Sequence, residues 1–137
     1  WIFNQVLSQR IQQLTWLDPI QGDVFMLNGK SACFADDIND EILERLRNAE
    51  INLTGCLWGE SESMATADAF ALEQSIADEF KSLAEGLESA RLKQERRALR
   101  LMPDNLTWVI SAGLLELEFD LPSGAFATMV LRECVKT

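Results

Sequence analysis

Leu115, Leu117, Phe119 and Leu121 alternate with Glu116, Glu118 and Asp120. Side chains along a strand point to opposite faces in turn, so this segment has one apolar and one acidic side. It must lie in an antiparallel sheet with a single face on a core. Ala112-Gly113 precedes it as a tight turn, with residues 106–110 as the partner strand. Residues 98–102 read as a further strand, stopped by Pro103. Pro122 stops the alternating strand in the same way, because proline has no N–H for a ladder. Ser123 is then placed to cap a helix on which Phe126, Val130 and Cys134 share a face, with Arg132 and Glu133 off it. Gly124 lets the backbone of this corner approach a neighbour closely. Two readings of Phe126 stand side by side: a core residue under the helix, or the wall of a pocket for a flat ligand.

The chain before this unit has a different period. Phe3, Val6, Leu7, Ile11 and Leu14 give an amphipathic helix that ends before Asp18-Pro19. Gly22-Asp23 reads as a turn. Short β-like runs at residues 24–27 and 32–35 flank Asn28-Gly29, a hairpin signal. Asp36-Asp37 is expected to cap a helix over residues 38–49, with Ile38, Ile42, Leu46 and Ala49 as its stripe. Asp36, Asp37, Asp40 and Glu41 lack the spaced ligands and central glycine of a calcium loop, so no metal site is expected there. Residues 51–57 form a buried strand running into a polar loop at 59–63. One long helix follows from Thr66 to Leu87, bent near Gly86.

Arg91, Lys93, Arg96, Arg97 and Arg100 are the one basic cluster. They read as a solvated helix end paired with Glu88 and Glu95, or alternatively as a phosphate contact; the first reading is preferred. The formal net charge of −10 argues against a nucleic-acid surface on composition alone. The absence of histidine excludes imidazole bases and most zinc sites. Cys33, Cys56 and Cys134 show no Cys-x-x-Cys spacing and are expected as core thiols of a reducing, cytoplasmic protein. No apolar run is long enough for a membrane span. The residues alone give an α+β chain, helix-rich over 1–95 and sheet-plus-helix over 96–137, with a boundary near Arg96 and no catalytic constellation.

The stretch Leu121-Pro122-Ser123-Gly124-Ala125-Phe126-Ala127-Thr128, followed by a hydrophobic pair and Arg132-Glu133, resembles the C-terminal signature of the TruD family of tRNA pseudouridine synthases. The resemblance extends through Phe3-Asn4-Gln5-Val6 with Arg10, Gly22-Asp23, Leu72-Glu73, Arg96-Arg97-Ala98-Leu99, Pro103 and Leu106-Thr107-Trp108. Trp58 departs from it, standing where a proline is expected.

The resemblance implies an enzyme that isomerises a uridine in the D arm of tRNA to pseudouridine without a cofactor. It further implies that residues 1–95 are part of an insertion domain and 96–137 the C-terminal segment of the catalytic domain. The family's catalytic aspartate lies in an Ala-Gly-x-Lys-Asp type motif, which this sequence lacks, so no aspartate here inherits that role. By resemblance Phe126 lines the uridine pocket. The chain starts at Trp1 within an amphipathic pattern, from which a C-terminal fragment is expected, inactive alone and completed by the N-terminal catalytic half of the same protein. A monomer that acts on tRNA is expected. The alternative is a non-catalytic acidic α+β module that docks a protein.

Overall fold

The computed structural model describes residues 1–135. The chain divides into two compact units, one of Trp1–Arg100 and one beginning at Leu101. The first is built on a four-stranded antiparallel sheet of β1 (Val24–Leu27), β2 (Cys33–Ala35), β3 (Ile51–Leu57) and β4 (Glu95–Ala98), in the order β2-β1-β3-β4. The Asn28-Gly29 hairpin forms as expected, with Phe25 opposite Phe34 and Gly29 at φ 71°. The strand expected over 98–102 lies earlier instead. β4 pairs Arg96 with Cys56 and Ala98 with Thr54 on the central strand, and the units part after Arg100.

Residues 51–56 of β3 are all buried, because helices cover both faces of the sheet. Ile51 and Leu53 face α1 (Ile2–Gln12) and α2 (Asp40–Arg47), in a core with Phe3, Phe25, Ile42, Leu46 and Leu99. Cys56 faces the opposite way, in a second cluster with Ile76, Ala77 and Ala84 of α3 (Ala67–Glu79) and α4 (Lys81–Ser89), joined by Ile2 and Val6 of α1. Each large aliphatic side chain buried this way contributes about 1.5–3 kcal/mol.

Several local expectations shift. α2 is capped by Asn39, whose Oδ1 accepts from the Ile42 N–H at 2.9 Å, and not by Asp36-Asp37. The long helix is two helices. They break at Phe80 (φ −106°, ψ 41°), whose ring packs on the second cluster, while Gly86 lies inside α4. On α1 the buried face is Ile2, Phe3, Val6 and Arg10; Ile11 and Leu14 are exposed.

That buried arginine is explained by Asp23. Arg10 Nη1 and Nη2 each donate to a carboxylate oxygen at 2.9 Å, and both side chains are almost wholly enclosed. Arg10 also donates to the carbonyls of Thr15 (2.9 Å) and Asp18 (3.2 Å), and Asp23 accepts from the Ile20 N–H at 2.8 Å. A second pair ties β4 to α3. Arg96 donates to both carboxylate oxygens of Glu73 (2.9 and 2.8 Å) and to Thr54 Oγ1 (3.0 Å). Arg100 donates from Nε to Asn52 Oδ1 at 2.9 Å, and Arg97 stacks over the Phe3 ring. Of the expected basic cluster, Arg96 is therefore interior architecture of the first unit and Arg100 is half-buried just beyond β4, while Arg91, Lys93 and Arg97 are exposed. Buried charges of this kind persist only when paired and hydrogen-bonded.

The second unit holds β5 (Asp104–Ser111), β6 (Leu114–Asp120) and α5 (Ala127–Cys134). β5 and β6 pair antiparallel, Trp108 opposite Leu117 and Ile110 opposite Leu115. Ala112 and Gly113 make the turn with φ of 51° and 79°, the left-handed pair that a two-residue hairpin loop requires. Among the described residues no helix is long and apolar enough to cross a membrane.

Candidate functional site

The corner that follows β6 is set by Pro122 and Gly124. The Ala125 N–H donates to the Pro122 carbonyl at 3.1 Å, with Gly124 at φ 85°, a turn whose third position demands a positive φ. Ser123 lies inside this turn and does not cap the helix. The N-cap is Phe126, extended at φ −115° and ψ 121°, with no side-chain cap bond. Its carbonyl accepts from the Met129 N–H at 3.0 Å, while the residue is 68% exposed. Phe126 is consequently not a core residue of this unit. Val130 is half-buried and Cys134 exposed, so the expected Phe126–Val130–Cys134 face is not packed in the described chain.

The corner is apolar and carries no acid–base machinery of its own. An exposed aromatic face can stack on a base or hold one that has left its helical stack. Among the described residues no group of three or more Cys, Asp or Glu side chains converges to hold a metal.

The thiols divide. Cys134 is open, Cys33 is half-buried with its pKa raised mainly by burial, and burial together with the nearby Glu73 carboxylate pushes Cys56 up to about 12. A thiol held neutral in this way is a packing group and not a nucleophile.

The first unit holds two further features that periodicity gave no sign of. Trp58 Nε1 donates to Glu88 Oε1 at 2.9 Å, and Gly59 beside it lies so close to the backbone of Leu92 and Lys93 that a Cβ would overlap the Leu92 carbonyl oxygen. The residues of the expected polar loop are therefore anchored at their start. Separately, Trp16 donates from Nε1 to the Leu99 carbonyl at 3.0 Å and forms one wall of a groove of about 320 Å³. The signal for that wall was a tryptophan in a polar loop after a helix, which a search for periodic residues passes over.

The family model described as tRNA pseudouridine synthase D (TruD) matches residues 1–134. The tRNA pseudouridine synthase D of Hydrogenovibrio crunogenus is 43% identical over 134 residues, covering 97% of this chain and 39% of that protein. The protein of the same description from Xanthomonas campestris pv. campestris (strain 8004) is 46% identical over 137 residues, covering 96% of this chain and 37% of its own length. The chain thus spans about two fifths of the length of these curated relatives. A solved structure described as a tRNA pseudouridine synthase D, from Methanosarcina mazei, aligns with a TM-score of 0.72 at 23% identity, covering 96% of this chain and 35% of that one, which establishes likeness of fold. On a family match that runs through both compact units and the Phe126 corner, this chain belongs to the TruD family.

Proposed function

We propose that this chain is the C-terminal part of an enzyme that isomerises a uridine in the D arm of tRNA to pseudouridine. The reaction breaks the bond from ribose to the base nitrogen and rejoins the same base through carbon. Nothing is oxidised or reduced overall, so no cofactor is called for. Residues 1–95 are assigned to the insertion domain and 96–137 to the catalytic domain, so that the chain passes between them along β4 and reaches the second unit after Arg100. The catalytic aspartate is assigned to the N-terminal catalytic half of the protein, the partner that completes the sheet begun by β5 and β6. The intact enzyme is expected to be a cytoplasmic monomer.

Phe126 is assigned to the wall of the uridine pocket. The family match over residues 1–134 carries this reading, because it includes the corner where the residue stands exposed. The test pairs melting with turnover of Phe126→Ala in the intact enzyme. A buried phenylalanine truncated to alanine costs ~3–5 kcal/mol, and a ring this exposed loses well under that. Base stacking on an aromatic is worth ~1–3 kcal/mol, and about 1.4 kcal/mol is a decade of rate. Turnover should therefore fall about tenfold or more with the melting temperature almost unchanged, and Phe126→Tyr should retain more activity. Wild-type turnover, or a melting loss large enough to explain the whole defect, would remove Phe126 from the site.

A further inference from the structure

The groove beside Trp16 is a built feature. Its loop follows Leu14, which at φ 58° turns the chain out of α1. The loop is then held from below: Arg10, enclosed in its pair with Asp23, donates to the carbonyls of Thr15 and Asp18 on either side of Trp16. The indole N–H is tied to the Leu99 carbonyl, which fixes the ring, and 38% of the residue stays open to solvent. The floor is the rim of the core, formed by Leu46, Leu53 and Leu99.

Arg47, Arg100 and Asp18 are among the lining residues. Arg47 is exposed at the end of α2, with its Nε donated to the Leu43 carbonyl at 3.2 Å. Arg100 is oriented by Asn52 and, through Nη2, by the Ile51 carbonyl at 3.4 Å. In a chain of net charge −10, a groove with two arginines to one aspartate is positive on balance. An aromatic plane suits the face of any base, and guanidinium suits a phosphate. A purely apolar peptide would make no use of the guanidinium N–H groups that these internal bonds leave over.

We propose that the groove lined by Trp16, Leu17, Leu43, Arg47 and Arg100 binds one unstacked nucleotide of RNA, its base against Trp16 and its phosphate at the two arginines. This rests on the reading of the chain as part of an RNA-modifying enzyme, but concerns a contact remote in sequence from Phe126.

The test is titration of the isotope-labelled chain with hexauridylate, following the indole N–H signals of Trp1, Trp16, Trp58 and Trp108. The Trp16 signal should move saturably, and a duplex RNA of equal length, whose bases are stacked, should move it far less. Arg47→Ala should weaken binding roughly two- to fivefold, as loss of one exposed ionic contact does. It should also reduce the salt dependence by about 0.7 in the log–log slope. No saturable change at Trp16 up to millimolar oligonucleotide, or a change confined to Trp108, would overturn the proposal. An Arg47→Ala protein that binds like wild type would do the same. Pseudouridine formation by the intact enzyme is scored separately: its absence refutes the catalytic reading and leaves groove binding to stand or fall on the titration.

Discussion

Asp23→Asn should be among the most damaging conservative changes in the first unit. The wild-type carboxylate accepts three hydrogen bonds, two from Arg10 at 2.9 Å and one from the Ile20 N–H at 2.8 Å. The amide put in its place would keep one acceptor oxygen and turn an NH2 group toward a guanidinium. The negative charge would be gone while that of Arg10, 2% exposed, stayed in place. Removing one partner of a buried pair costs ~3–5 kcal/mol. At about 3 °C per kcal/mol for a chain of this size, that is a fall of roughly 10–15 °C in melting temperature. The double variant Arg10→Met/Asp23→Leu separates two explanations. Buried pairs are often replaceable by hydrophobic residues without loss. Here the Thr15 and Asp18 carbonyls and the Ile20 N–H would also lose their partners, each worth ~1–3 kcal/mol if left buried and unsatisfied. The double variant should therefore stay at least ~2 kcal/mol below wild type. Urea unfolding followed by far-ultraviolet circular dichroism reads both. A loss under ~1 kcal/mol for Asp23→Asn, or a double variant as stable as wild type, would refute the claim that this pair organises the loop.

Gly22→Ala should cost ~3 kcal/mol or more in the same assay, since φ is 82° and the new Cβ would overlap the Thr66 carbonyl oxygen; Gly86→Ala, with open space around it, should be neutral or stabilising. Alkylation at pH 8 with peptide mapping should label Cys134 quickly and Cys56 only on unfolding. Because the Cys56 pKa is raised from 9.0 to about 12, the folded state holds its proton where the unfolded state has lost it. Its contribution to stability is thus full below pH 9 and is lost as pH rises toward 12, which urea midpoints at pH 8 and pH 10.5 would register as a fall. Limited proteolysis should cut first between Arg100 and Asp104, where exposed Leu101 and Met102 lie outside any helix or strand; first cleavage within residues 59–63 would mean that the Gly59 contact with Leu92 does not hold that loop.

What could be read from the sequence was local. Gly29 fixes the first turn and the Ala112-Gly113 pair the second through left-handed backbone, so both hairpins were visible, whereas the core face expected of β6 is half-buried only at Leu117 and Phe119 in the described chain. The Phe126 corner was visible for the same reason, although its cap was misplaced: Gly124 had already closed the turn before a serine cap could form. The interior charges were hidden. Arg10, Glu73 and Arg96 look like surface residues to any periodicity argument, and the partners that bury them lie 13 or 23 positions away. The break at Phe80 was hidden too, since it follows from packing of that ring on the second core and from no helix-breaking residue nearby. Both omissions have one physical cause: long-range pairing overrides local preference where a sheet is covered on two sides.

The position of β4 in the order of synthesis has a consequence for how the protein is made. The central strand β3 is translated before α3 and α4, yet one of its two neighbours arrives only at Glu95–Ala98, together with Arg96, the counter-charge of Glu73. A nascent chain ending before residue 95 would carry an uncompensated carboxylate at the heart of its α3 packing and an open ladder edge along β3. Chains grow from the N-terminus at about 5–20 residues per second. From the emergence of residue 57 to that of residue 98, the half-built sheet therefore spends seconds with one edge of its middle strand unpaired. That interval is when a ribosome-associated chaperone would have something to hold.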